Sequence, residues 1–140
     1  MKKIIVFSLT FILFLITGCN KNQKLVCDSK NDIMDLNIIV EYKNKTIDKM
    51  LLNYTYDLTK YDEKDIESFK KQDFCKLIEN SSDTFAGAIK YCNQSISDKQ
   101  LKVKANIDVS KLSNDDITKN SKIESVKNSF ENSGSTCKIK

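Results

Sequence analysis

The sequence predicts an α+β fold: an antiparallel sheet of about four strands with two helices on one face, in the order β-β-α-β-β-α, stapled by disulfides. Three observations carry this. Residues 34–42 and 101–109 alternate apolar and polar side chains, the period-two mark of a half-buried strand. Two other stretches gather apolar residues on one helical face: Ile66, Phe69, Phe74 and Leu77, then Ile123, Val126 and Phe130. Finally, Cys27, Cys75, Cys92 and Cys137 form an even set.

The chain opens on Lys2 and Lys3, followed by an almost wholly apolar run over 4–16. At about 13 residues that run is shorter than the ~20 a spanning helix needs, and it fits the apolar region of a secretory signal peptide. The run ends in Leu15-Ile16-Thr17-Gly18-Cys19 and then turns polar with "NKNQK". This junction resembles a bacterial lipobox, in which a small residue precedes a cysteine that is lipidated and becomes the mature N-terminus. Residues 1–18 are therefore expected to be a removed signal peptide, 19–24 a lipidated tether, and 25–140 a single domain. Acyl chains such as palmitate on Cys19 would hold the protein on the membrane, facing away from the cytoplasm. Each buried CH₂ contributes about 0.8 kcal/mol, and two or more chains anchor stably. Loss of Lys2 and Lys3 lowers the formal charge from +4 to +2. That net value is too mild to argue for nucleic acid or anionic lipid as a partner.

Within the domain, Met34, Leu36, Ile38, Val40 and Tyr42 form the inward set of the first strand, "KNKT" is a turn, and 47–57 is a second strand. A two-residue turn at Asn44-Lys45 would set Val40 opposite Lys49 and Leu36 opposite Asn53. A three-residue turn sets Ile38 opposite Met50, Leu36 opposite Leu52 and Met34 opposite Tyr54, and it is favoured because a one-residue slip turns every side chain to the wrong face. The first helix opens at Asp62, an N-cap, with Glu63 and Asp65 in its first turn. Ile78 lies at the margin of its apolar stripe. A weaker strand covers 88–93, and "SISDKQ" makes a turn. In the next strand Leu101, Val103, Ala105, Ile107 and Val109 point inward and Lys102, Lys104, Asn106 and Asp108 outward. Ser121 with Glu124 reads as a capping box for the last helix, and Gly134 is placed to end it. The sheet face bearing Lys102 and Lys104 should meet water.

An even cysteine set in a chain that leaves the reducing cytosol reads as two disulfides. A zinc site is disfavoured because there is no C-x-x-C pair and no histidine. Four cysteines allow three connectivities, which sequence alone does not separate. The favoured set is Cys27–Cys137, tying the start of the domain to its end, with Cys75–Cys92 closing a local loop. One tension accompanies it. On a helical wheel Cys75 points away from the apolar stripe, and Cys92 falls on the strand face opposite Ile89 and Tyr91. The sulfurs would meet only if the helix ended near Cys75 or the strand were irregular around Cys92.

The Ile16-Thr17-Gly18-Cys19 junction, the first hairpin, the "DVSKL" strand end at 108–112 and the short final helix with its "TCK" resemble small YehR-like bacterial lipoproteins. The resemblance is one of layout over most of the mature chain. It brings no established activity, and it does not assign the pairing of Cys75 and Cys92.

Catalytic readings find little to build on. Without histidine, Ser-His and Cys-His arrangements are excluded. Three glycines make no phosphate-binding loop. The clusters Asp62-Glu63-Asp65 and Asp115-Asp116 sit at expected helix starts, where the helix dipole accounts for them. Tyr42, Tyr54, Tyr56, Tyr61 and Tyr91 read mainly as packing residues. No metal, cofactor or nucleic-acid site is expected. The expected function is a membrane-anchored, non-catalytic binding or envelope-interaction module with an unassigned ligand. The alternative is a small tethered enzyme acting on cell-wall material through carboxylates.

Overall fold

The computed structural model describes residues 22–81, 85–113 and 117–140. Cys19, the signal segment and Asp115-Asp116 lie outside the described residues. The elements are β1 (Gln23–Lys30), β2 (Met34–Lys43), β3 (Thr46–Asp57), α1 (Glu63–Lys71), α2 (Phe74–Ser81), β4 (Ile89–Ser97), β5 (Gln100–Ile107), α3 (Ile123–Asn132) and β6 (Thr136–Ile139), with a 3₁₀ turn at Val109–Lys111. The α+β class stands, but the sheet has six antiparallel strands in the order β4-β5-β3-β2-β1-β6. Among the described residues three α-helices replace the expected two. The two unexpected strands are the cysteine-bearing ones. β1 shows only Leu25 and Cys27 as fully inward residues, and β6 has four residues, too few for a periodicity to register. β1 also begins at Gln23, so Gln23 and Lys24, assigned above to the tether, belong to the sheet.

The β2–β3 hairpin corrects the register. Asn44 and Lys45 both have positive φ, 53° and 65°, the two-residue type I′ turn whose twist suits a hairpin. Tyr42 therefore faces Ile47. One step further in, a bulge leaves Asp48 unpaired and Glu41 faces Lys49. Beyond it Val40 pairs with Met50, Ile38 with Leu52, Leu36 with Tyr54 and Met34 with Tyr56. Each side chain keeps its expected face, but each partner is two residues from the expected one. The bulge resolves the conflict between a tight turn and a matched apolar face.

Inward side chains then line up in rows across the sheet. One runs Cys137, Cys27, Ile38, Leu52, Ala105, Cys92, from one disulfide to the other. Leu25, Val40, Leu52, Leu101, Val103 and Val126 are essentially sealed from water. α3 covers the β1 side through Val126, with Ile123 and Phe130 half-buried beside it. α1 and α2 cover Leu101 and Val103 through Ile66, Phe69, Phe74 and Ile78. Of the residues expected to be buried, Leu36, Phe69 and Phe130 are only partly so, and Leu77 is 51% exposed.

Leu77 is displaced because the expected single helix is two. Asp62 caps α1 by accepting from the Asp65 N–H at 2.8 Å. α1 stops at Lys71, and Asp73 starts α2 by accepting from the Lys76 N–H at 3.0 Å. Gln94 of β4 clamps the break: its Oε1 accepts from the Phe74 N–H and its Nε2 donates to the Gln72 carbonyl, both at 2.8 Å. Restarting the helix changes its phase, so Ile78 takes the buried place. At α3 the expected capping box is not formed. The helix begins one residue later, after Lys122, which makes no side-chain cap. Ser121 Oγ accepts instead from the Thr118 N–H. Gly134, with φ 93°, ends the helix as expected, and Ser135 N–H donates to the Phe130 carbonyl in a Schellman closure.

Tyr42 is 3% exposed, and its hydroxyl has no hydrogen-bond partner among the described residues. Burial pushes its ionisation up to about 12. Removing an unsatisfied buried hydroxyl relieves a desolvation penalty, so Tyr42→Phe should raise stability by about 1 kcal/mol. The sign with pH follows from proton counts. Between pH 10 and 12 the unfolded chain has released a phenolic proton that the folded chain keeps, so wild-type stability falls as pH rises through that window. Denaturant melts at pH 7 and pH 11 should show Tyr42→Phe more stable at both and flatter between them.

Candidate binding site

Strands β2 and β3 meet the loops at one end of the sheet to form an aromatic cluster. β3 places Tyr54 and Tyr56 on the helix face and ends at Asp57. The stretch Leu58–Tyr61 turns back onto α1, and the break between α1 and α2 sets Phe69 and Phe74 beside it. The rings form a chain: Tyr54 on Tyr56 at 6.3 Å and nearly parallel, Tyr56 to Phe74 at 6.1 Å, Phe74 to Phe69 at 6.2 Å, and Phe69 edge-on to Tyr61 at 5.1 Å. Offset and edge-on pairs of this kind hold one another beyond simple burial.

A pocket of about 170 Å³ opens against this cluster, walled by Ile33, Tyr56, Tyr61, Phe69 and Phe74, with Asp57 at its rim. Ile33 is 49% exposed. The rim is fixed by main-chain bonds: Asp57 N–H donates to the Ile33 carbonyl at 3.1 Å and Leu58 N–H to the Lys99 carbonyl at 2.8 Å. The Thr59 backbone N–H donates to the Asp57 carboxylate at 2.9 Å, and this bond holds the carboxyl below its ordinary range. Asp57 is thus an anion at neutral pH. Burial keeps Tyr54 and Tyr56 protonated well into alkaline conditions, and for Tyr54 the neighbouring Tyr56 adds to the effect.

An adjoining cleft of about 290 Å³ shares Ile33 and Asp57 and adds Asp32, Asp35 and Asp98. Lys30 lies there too, paired with Asp35 at 3.2 Å. The surface beside the aromatic wall is therefore anionic. Larger hollows of about 370 and 430 Å³ sit at the opposite end of the sheet, lined mainly by lysines, acids and amides. Their few apolar residues, Tyr42 in one and Ile47, Ile107 and Val109 in the other, are outnumbered by charged and amide side chains, and the aromatic pocket is the better candidate because binding sites are apolar concavities with a few placed polar groups.

The sequence-expected site residues fall as follows. The structure joins Cys27 to Cys137 and Cys75 to Cys92. Lys24 and Lys140 exchange both main-chain hydrogen bonds, so alternation makes Cys27 and Cys137 a non-hydrogen-bonded pair, the close kind, with Cα atoms 4.0 Å apart. The tension over Cys75–Cys92 is lifted from both sides. The helix break puts Cys75 in the first turn of α2. A bulge at Lys90 then lets Ile89 and Cys92 share the helix face while Tyr91 turns outward, 62% exposed. Of the tyrosines, Tyr54, Tyr56 and Tyr61 belong to the aromatic site, and Tyr42 is core. Asp62, Glu63 and Asp65 are exposed at the start of α1. Among the described residues no group of three or more acidic or cysteine side chains is placed to hold a metal ion.

Phe69, Phe74 and Ile33 were not recognisable as site residues. The sequence offers Phe69 and Phe74 only as a helical stripe, and the pocket exists because that helix breaks. No family model, curated protein or solved structure matches the chain.

Proposed function

We propose that the protein is a membrane-anchored lipoprotein, tethered through Cys19 outside the cytoplasm, that binds ligands carrying a small apolar group next to a positive charge. The observation that carries this reading is the aromatic pocket with ionised Asp57 at its rim. Aromatic faces attract cations as well as apolar groups, and the acidic cleft beside the pocket repels anions. The lipobox-like junction and the two disulfides support the address, since disulfides persist where thiols are not kept reduced. The carboxylate-enzyme reading draws no support from the electrostatics. Asp57, Glu67 and Asp108, held by bonds from Thr59, Lys70 and Ser110 respectively, are all shifted toward the ionised form, whereas a general acid is shifted upward.

Benzylamine and benzoate share a ring and differ in charge, so they separate the two halves of the recognition. Titrated into the mature protein, benzylamine should shift the amide resonances of Ile33, Leu58 and Leu101. Benzoate should not. Phe69→Ala should weaken the benzylamine response about tenfold, the factor that ~1.4 kcal/mol of lost aromatic contact gives. Shifts scattered over the surface, or an equal response to benzoate, would contradict the pocket assignment.

A further inference from the structure

The chain's charges are mixed in sequence, but their balance differs between the two ends of the sheet. Antiparallel pairing brings the start of β1, the β2–β3 turn, the end of β5 and the C-terminal residue to one end of the sheet. The Ile47 N–H donates to the Lys119 carbonyl, which places the approach to α3 at that end too. Lys24, Lys43, Lys45, Lys111, Lys119 and Lys140 are all exposed there. Of the described acids at this end, Glu41 pairs with Lys24 at 3.1 Å and Asp108 with Lys90 at 3.6 Å, leaving Asp48 at the bulge. The opposite end carries the aromatic pocket and Asp32, Asp35, Asp57 and Asp98, joined by Asp62, Glu63 and Asp65 at the start of α1, and these seven acids outnumber Lys30, Lys60, Lys64 and Lys99 beside them. The small net charge conceals this polarity, because the two ends offset each other.

The basic end is also where the chain enters the sheet, at Gln23. Four chain steps separate Cys19 from Gln23, the first residue of β1, and they span at most about 14 Å. At physiological salt a charge is felt over about 8 Å, so lysines at that end lie within reach of the surface on which a lipidated Cys19 sits. We propose that the lysine-bearing end of the sheet docks on the anionic headgroups of the membrane that holds the protein, so that the aromatic pocket faces away from it. This rests on the anchoring proposed above. β3, with 12 residues, spans the distance between the two ends, about 40 Å. The pocket is thereby held clear of the bilayer and open to ligands from outside.

The test uses the protein purified from the membrane fraction of its native cell, in vesicles of phosphatidylcholine alone and of phosphatidylcholine with phosphatidylglycerol, with lysine acetylation read by mass spectrometry. Acetylation of Lys43, Lys45, Lys111 and Lys119 should slow about fivefold in the anionic vesicles and recover at high salt. Lys60, Lys64 and Lys99, at the other end, should react alike in both. Lys43→Glu/Lys111→Glu/Lys119→Glu should lose the slowing at Lys45 while still floating with the vesicles. Equal rates in the two vesicle types, or equal slowing at both ends, would overturn the docking while leaving the anchor intact. A wild-type protein that floats with neither vesicle type and carries no acyl mass would overturn the anchor, and the docking with it.

Discussion

Replacing Cys27 and Cys137 together by alanine should lower the stability of the domain by about 4–5 kcal/mol, against about 3 kcal/mol for Cys75 and Cys92. The ranking follows from sequence separation, 110 residues for the first bridge and 17 for the second, because a cross-link removes more freedom from the unfolded chain when it closes a longer loop. Local structure adds to the same ranking. β6 has four residues and pairs only with β1 at the sheet edge. Without its bridge it would rely on a few main-chain bonds and its contacts with α3. Against a typical total of about 5–15 kcal/mol, the loss of Cys27–Cys137 brings the domain close to unfolding. Thermal melts of the two double variants measure this directly, and a larger fall in Tm for the Cys75/Cys92 variant would reverse the account.

Cys19→Ser should abolish stable attachment to the membrane. With no thiol to acylate, the acyl chains are lost, and with them the ~0.8 kcal/mol that each buried CH₂ supplies. Processing at the Gly18-Cys19 junction should stop as well, leaving the apolar run over 4–16 in place. That run is too short to span a bilayer, which takes about 20 residues. An alkaline carbonate wash should therefore release Cys19→Ser from membranes and leave the wild type bound. Equal retention would show that the apolar segment, and not a lipid, is the anchor.

The parts of the fold that were legible are those in which a single element carries its own pattern. β5 alternates without a break from Leu101 to Ile107, and its faces fell as expected, with Lys102 and Lys104 in water. Asp62 and Gly134 each act through one local bond or one φ value, and both stand where the sequence put them. What was not legible depends on two elements at once. The bulges at Asp48 and Lys90 arise because two strands must match apolar faces across a turn whose length is set separately. The break between α1 and α2 is held by Gln94, some twenty residues away in sequence. β1 and β6 are each too poor in inward apolar residues to register alone, yet they close the sheet because a disulfide and α3 hold them.

The same division applies to function. The paired cysteines stand out because their chemistry is tied to residue type and number. The pocket does not, since Tyr56, Tyr61, Phe69 and Phe74 look like ordinary packing residues until the helix break leaves a space among them. The charge polarity was likewise hidden in the chain's net value of +4. Only strand order shows that Lys24, Lys43 and Lys140 are neighbours.

Peptide mapping by mass spectrometry, without reduction, of the protein taken from the membrane fraction of its native cell tests the central claim most directly. The account predicts an N-terminal peptide that begins at Cys19 and carries acyl mass, together with linked peptides joining Cys27 to Cys137 and Cys75 to Cys92. A chain that keeps residues 1–18 with an unmodified thiol at Cys19, or one in which the other four cysteines are alkylated without reduction, would contradict it.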